Sequence, residues 1–214
     1  MSRIAIVDYG MGNLRSVEKA LTYVAAGRYD VQVTRHPDEV RAAERVVFPG
    51  QGAIRDCMAQ IRGHGLEESL REAVRDKPFL GICIGLQSLM ERSDEDLDTE
   101  GLGIYAGKCV RFPDGARDPV TGARLKIPHM GWNQVKITKA HALWDGIDDL
   151  SRFYFVHSYH VEPGDPSLVA ATSDYPGPFA CALAHDNTFA VQFHPEKSQH
   201  SGLRLLTNFL RWQP

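Results

Sequence analysis

Between Arg3 and Glu91 short β-branched, apolar runs alternate with helical patterns, and that alternation constrains the fold more than any other feature of the 214 residues. Arg3 to Asp8 precedes a helical stretch from Leu14 to Ala26. Val31 to Arg35 precedes Asp38 to Glu44, and Arg45 to Phe48 precedes Ile54 to Arg75, a helical stretch broken in two near Gly63 and Gly65. Pro78 to Ile82 precedes Ile84 to Glu91. Strands recurring with helices between them run parallel and need helices on both faces. After the acidic, polar stretch Ser93 to Glu100 the rhythm changes. Ile104 to Phe112, Val135 to Thr138, Phe153 to Tyr159, Leu168 to Thr172, Cys181 to His185 and Thr188 to Phe193 read as strands with little helix between them, and Asp186-Asn187 reads as a hairpin turn. The expectation is an α/β fold in three layers: a mostly parallel central sheet, helices on both faces, and added antiparallel strands. A last helix, Gly202 to Arg211, lays Leu203, Leu206, Phe209 and Leu210 on the sheet. No repeat or linker divides the chain, so residues 1–214 are expected to form one domain. Pro113 to Arg124, rich in Pro, Gly and Asp, reads as a surface loop or hairpin.

Hydrophobic residues make up 43% of the chain, enough for a core without disulfides or a structural metal. A formal net charge of −3 and the absence of a basic stripe argue against a nucleic-acid partner. No apolar run is long enough to span a membrane, and the start lacks a signal-peptide pattern. Cys57, Cys83, Cys109 and Cys181 are widely separated without a Cys-x-x-Cys pair, which fits four reduced thiols in cytosol.

One of those cysteines stands apart. Gly81-Ile82-Cys83-Ile84-Gly85 follows an apolar strand and opens a helix, the pattern of a nucleophile elbow with sulfur in place of oxygen. A tight strand-to-helix turn crowds its neighbours, so small flanking residues leave the nucleophile exposed, and a helix N-terminus beneath the sulfur favours its anion. A thiolate nucleophile needs a proton carrier held in one tautomer. His194 ends the apolar strand Thr188 to Phe193, where open α/β sheets build their sites, and Glu196 follows on the same side of an extended backbone, with Pro195 stiffening the link. His157 and His160 make a poor metal pair, since that spacing on a strand turns the rings to opposite faces, and no metal site is expected. The strand Val46 to Phe48 runs into Pro49-Gly50-Gln51-Gly52. From the residues alone this turn fits a plain strand-to-helix connection and an oxyanion hole equally well.

Together Pro49-Gly50-x-Gly52, Gly81-Ile82-Cys83-Ile84-Gly85-Leu86-Gln87 and Gln192-Phe193-His194-Pro195-Glu196 resemble the class I glutamine amidotransferases in order and spacing, over nearly the whole chain. Asp8 to Ser16, Pro128 to Asn133, Tyr154 to Tyr159 and Lys197-Ser198-Gln199 narrow the resemblance to the histidine-biosynthesis branch, the glutaminase subunits of imidazole glycerol phosphate synthase. The resemblance implies glutamine hydrolysis by a Cys83-His194-Glu196 triad. It also implies an oxyanion hole from the Gln51 and Ile84 backbone N–H groups, and substrate contacts from Gly50, Gly52, Gln87, His157, Ser158 and Tyr159. It implies no cofactor, and a heterodimer with a (β/α)8-barrel cyclase subunit that receives ammonia through a sheltered channel, with Asn13, Trp132, Asn133, Tyr154 and Lys197 at or near that interface. Read without the resemblance, Trp132 and Tyr154 fit core aromatics, Asn13 a helix cap and Lys197 a solvated charge. The sequence departs from the family at Gln51, which replaces a small apolar residue, conservatively at Ile84 and Leu86, and in the length of the Pro113 to Arg124 loop. A glutaminase serving anthranilate or GMP synthesis, a stand-alone cysteine hydrolase and a non-catalytic binding module remain as alternatives at this level.

Overall fold

The computed structural model describes residues 2–96, 98–118 and 121–214. Strands β1 (Ser2–Val7), β2 (Tyr29–Thr34), β3 (Arg45–Gly50) and β4 (Phe79–Cys83) follow one another, with helices α1 (Leu14–Ala25), α2 (Pro37–Ala42), α3 (Ile54–Gly63) and α4 (Glu67–Asp76) in the connections. All their pairings are parallel, in the spatial order β2-β1-β3-β4. The first crossover moves one way across the sheet and the next two move the other way. Right-handed connections therefore put α1 on one face and α2, α3 and α4 on the opposite face. After β4 the chain makes the short helix α5 (Ile84–Gln87), and the C-terminal helix α6 (Gln199–Arg211) packs against α1, completing the expected three layers. Every residue of β3 and β4 is buried, as strands covered on both faces must be.

The second half adds β5 (Met90–Ser93), β6 (Thr99–Glu100), β7 (Tyr105–Arg111), β8 (His129–Gln134), β9 (Lys136–Ile137), β10 (Arg152–His157), β11 (Tyr159–Pro163), β12 (Val169–Asp174), β13 (Pro178–His185) and β14 (Thr188–Val191). β14 returns to the middle of the sheet, parallel to β4. From there the twelve-stranded sheet continues through β13, β11, β7, β5 and β6, with β12 and β9 joined at β13. These pairings are antiparallel apart from β5 with β7. The Asp186-Asn187 turn closes the β13–β14 hairpin, with His185 opposite Thr188 and Asp186 at φ 42°. The ends of β3, β4 and β14 come together at one edge, where Gly50 lies opposite Cys83 and Val191 opposite Ile82. That edge carries the site.

The structure corrects several local expectations. The helix expected over Ile84 to Glu91 stops after one turn, and Met90–Ser93 is a strand. Ser88 turns its hydroxyl back onto the Ile84 carbonyl at 2.7 Å, and the Leu102 and Gly101 N–H groups bind the Ser88 and Glu91 carbonyls at 2.7 and 2.9 Å, contacts that hold this segment in a sheet. The single strand expected over Phe153 to Tyr159 is two, broken at Ser158, and the first of them leaves the main sheet. It pairs instead with β8 in a separate two-stranded sheet. β8 was not legible as a strand: Met130 and Trp132 on one of its faces are exposed, and Gly131 sits at φ 136°. Of Val135 to Thr138 only Lys136–Ile137 is strand. In the Pro113 to Arg124 stretch Arg117 and Arg124 form an antiparallel bridge, while Pro119 and Val120 lie outside the described residues.

Candidate active site

Cys83 ends β4 with φ 56° and ψ −106°, a backbone conformation costly for a residue with a Cβ. The conformation is held by close packing. A Cβ on Gly85 would lie 1.8 Å from the Phe48 carbonyl oxygen, and one on Gly81 would lie 2.8 Å from the Gly85 carbonyl oxygen. The elbow thus tolerates no side chain at either flank. Its sulfur sits above the first turn of α5, whose leading N–H groups have no partner within the helix. The other three cysteines are buried thiols: burial pushes Cys57 up to about 12 and Cys109 and Cys181 higher still.

His194 and Glu196 follow β14. His194 Nδ1 lies 2.9 Å from Glu196 Oε1, and the two side chains are only 2% and 1% exposed. The backbone fixes the pair. The His194 N–H donates to the Tyr154 carbonyl at 2.9 Å, and Ser198 Oγ donates to the His194 carbonyl at 2.6 Å. Burial disfavours a charged ring, yet the Cys83 sulfur and the Glu196 carboxylate outweigh it and raise the His194 pKa from 6.5 to about 10. His194 Nε2 is buried and faces the Cys83 sulfur, whose charge and hydrogen-bonding capacity favour the protonated ring.

Above the sulfur opens a cleft of about 350 Å³, within the roughly 300–1,000 Å³ of small-molecule sites. Gln51, Gly52, Ile84, Gln87, His157, Ser158 and Tyr159, all singled out in the sequence, line it together with Cys83. The expected substrate residue Gly50 and the triad partners lie behind, around a narrow crevice that Asn13 also lines. Gly50 has no space for a side chain: a Cβ would stand 2.5 Å from the Tyr9 hydroxyl and 2.6 Å from Ile84 Cβ. Sequence reasoning missed Glu95, which lines the cleft and accepts from the Ile54 N–H at 3.0 Å, because it lies in what reads as a solvated acidic stretch. Burial raises its pKa, as for a carboxylate short of a cationic partner. Lys197, expected at the partner interface, also lines the cleft, and its ammonium sits 5.9 Å from the Tyr154 ring centroid.

The remaining expected interface residues divide. Trp132 lies opposite Tyr154 across β8 and β10, their ring centroids 6.1 Å apart, and Trp132 and Met130 are 43% and 62% exposed. Trp132, Tyr154 and Lys197 therefore share one surface. Asn133, next along β8, points the other way into a buried histidine cluster, donating to His129 and the Asp174 carbonyl. Asn13 precedes α1 without capping it; its Oδ1 accepts from the Ser16 hydroxyl at 2.8 Å. His157 pairs with His129 rather than His160, and among the described residues no group of three or more His, Cys, Asp or Glu is placed to hold a metal.

A strained cysteine elbow, a buried His-Glu pair and a glycine turn at the carboxyl edge of an α/β sheet define a triad amidotransferase, and the chain belongs to the class I glutamine amidotransferase family. The family model described as "Glutamine amidotransferase class-I" matches residues 5–212. Two relatives named imidazole glycerol phosphate synthase subunit HisH are close over their whole length. The one from Dechloromonas aromatica (strain RCB) is 59% identical over 99% of this chain and 97% of its own. The one from Methylococcus capsulatus is 56% identical over 100% of this chain and 98% of its own. Among solved structures, a putative GMP synthase subunit from Thermoplasma acidophilum superposes with a TM-score of 0.71 over 99% of this chain and 93% of that chain. At 18% identity it is a likeness of fold.

Proposed function

We propose that the chain is the glutaminase subunit of an imidazole glycerol phosphate synthase, hydrolysing glutamine at Cys83 and delivering ammonia to a (β/α)8-barrel cyclase subunit. The carrying observation is the Cys83, His194 and Glu196 array beneath a cleft whose charged lining groups are Glu95 and Lys197, a pair suited to the ammonium and carboxylate of a free amino acid. Full-length identity to the HisH relatives supports the choice of acceptor over anthranilate or GMP synthesis. Among the described residues no helix is long and apolar enough to cross a membrane. We place the reaction in the cytosol, with the four cysteines as free thiols.

The Cys83 thiolate attacks the glutamine carboxamide carbon, and the oxyanion is held by the Ile84 and Gln51 N–H groups. His194 Nε2 gives its proton to the nitrogen, the C–N bond breaks, and ammonia leaves a glutamyl thioester. The neutral ring then takes a proton from water, whose oxygen attacks the thioester. The C–S bond breaks, returning glutamate, the thiolate and the imidazolium, with Glu196 stabilising the charged ring throughout. No step draws on a cofactor. Ammonia released into water at neutral pH is mostly protonated and no longer nucleophilic, so the chemistry itself calls for a docked acceptor. Trp132, Tyr154 and Lys197 form the surface we assign to it, while Asn13 lines the crevice beside His194 and Glu196.

Size-exclusion chromatography of the chain mixed with a cyclase subunit tests the partner: co-elution is expected, and separate elution sinks the assignment.

His194 sets a pH signature. Its ring is charged in folded and unfolded chains alike below the ordinary 6.5, so the stabilisation from Cys83 and Glu196 is fully present there. It is lost as pH rises through about 10, where the folded ring gives up its proton. The melting temperature of the wild type should exceed that of His194→Gln by a margin that shrinks between pH 6.5 and 10. A margin that widens with pH would contradict the charged ring.

A further inference from the structure

We propose that Gln192 holds the Cys83 sulfur in its attacking position, and that its amide is oriented by Gln87, which is fixed by the Tyr159 carbonyl; a second arm of hydrogen bonds, from Asn133 through His129 and His157, donates into that same carbonyl and holds it in place. The proposal rests on the reading of Cys83 as nucleophile. Gln192 Nε2 lies 3.6 Å from Cys83 Sγ, and the Gln192 backbone is pinned by its N–H on the Cys181 carbonyl at 2.9 Å. Gln192 Oε1 accepts from Gln87 Nε2 at 3.1 Å, and the same Nε2 donates to the Tyr159 carbonyl at 2.9 Å. Both Gln87 amide protons are thereby used, leaving its oxygen for a ligand.

The direction of both arms follows from acceptors that cannot donate. The Tyr159 carbonyl fixes the Gln87 amide nitrogen, so the Gln192 oxygen must face Gln87 and its N–H must face the sulfur. The same carbonyl takes His157 Nδ1 at 2.8 Å, so His157 Nδ1 carries the proton and Nε2 accepts. His129 Nδ1, 3.0 Å from that Nε2, therefore carries its own proton, and His129 Nε2 accepts from Asn133 Nδ2 at 3.3 Å. Asn133 Nδ2 also donates to the Asp174 carbonyl at 3.0 Å, which fixes the far end. Neither ring carries a second proton, because burial pushes His129 down to about 4 and His157 to about 3. Gln192 is fully buried, and Gln87, His129 and His157 are largely buried beside it, which strengthens these bonds.

An N–H aimed at sulfur favours the thiolate and fixes the rotamer of Cys83, whereas an amide turned the other way would favour the thiol. The other titratable groups facing the sulfur are His194, backed by Glu196, Cys57 and Tyr9, which burial keeps neutral, and, across the cleft, neutral His157 with Glu95 and Lys197. The test uses the full chain carrying Gln192→Leu and follows alkylation of Cys83 by iodoacetamide across pH, read by mass spectrometry. The alkylation rate at neutral pH and kcat for glutamine are each expected to fall roughly 10- to 100-fold, the range for loss of one hydrogen bond to a charged group. The alkaline limb of the profile should move to higher pH, with KM changed by no more than about twofold. A lower melting temperature with an unmoved limb would reduce Gln192 to packing and overturn the proposal.

Two measurements do not depend on that variant folding. Imidazole 15N spectra of the wild type should show the Nδ1–H tautomer at both His129 and His157; an Nε2–H tautomer at either ring overturns the second arm. Asn133→Asp, half-buried and remote from the sulfur, should draw a proton to His129 Nε2 and charge that ring near neutral pH. A His129 that stays neutral there also overturns it. If Cys83→Ala still hydrolyses glutamine, the nucleophile reading itself fails. If it does not, and Gln192→Leu alkylates at the wild-type rate, only the present proposal fails.

Discussion

Cys83→Ala is expected to lower glutamine hydrolysis by at least roughly 10⁴-fold, the scale on which loss of a covalent nucleophile is felt when the rest of a triad survives. The fold should persist. Alanine keeps the Cβ, so the backbone strain at φ 56° is unchanged, and the loss of one buried sulfur at a turn costs on the order of 1 kcal/mol. The variant should also still co-elute with the cyclase, because Trp132, Tyr154 and Lys197 lie on β8, β10 and the turn after His194 rather than at the elbow. A complex built with it should make no imidazole glycerol phosphate from glutamine, yet should do so from an ammonium salt at a pH high enough to leave free ammonia. Both reactions are measured on one preparation. Undiminished glutamine-dependent synthesis would end the nucleophile assignment, and failure of the ammonia reaction in an intact complex would end the separation of ammonia production from its use.

What could be read in advance, and what could not, follows from the range of the interactions. The elbow was legible because its constraint is local: Gly81 and Gly85 are small because carbonyl oxygens stand where their Cβ atoms would go. The His194-Glu196 pairing was legible for the same reason, being set by two residues of chain around Pro195. The parallel half of the sheet followed from the alternation of buried strands with helices. The helix end at Ser88 and the strand break at Ser158 were hidden, since each is decided by partners distant in sequence, Gly101 and Leu102 for the first and β8 for the second. Gln192 and His129 lay within motifs, but nothing in the sequence says that their side chains meet Cys83 and His157, and Glu95 was masked by its acidic neighbours. The resemblance groups Asn133 with Trp132, whereas the two-residue period of a strand sends their side chains to opposite faces.

The second large effect concerns the oxyanion hole. Gly50 lies opposite Cys83, and the turn beyond it packs against the loop after β1, where a Cβ on Gly12 would lie 3.7 Å from the Gln51 nitrogen. The Tyr9 hydroxyl stands on the other side of Gly50, where a Cβ would lie 2.5 Å from it. Gly52, at φ 97°, lets the turn adopt conformations closed to other residues. We propose that the free chain offers the oxyanion one N–H, from Ile84, and that a rotation of the Gly50-Gln51 peptide adds the second. One missing oxyanion donor costs roughly 10² to 10³ in rate. Glutamine turnover by the free chain should accordingly be slower by about that factor than turnover in the complex with the cyclase and the cyclase's own substrate, with the change in kcat rather than KM. Steady-state glutamate release from the free chain, the bare complex and the liganded complex measures it. Equal kcat in all three would mean that the hole is already formed and that the turn does not switch.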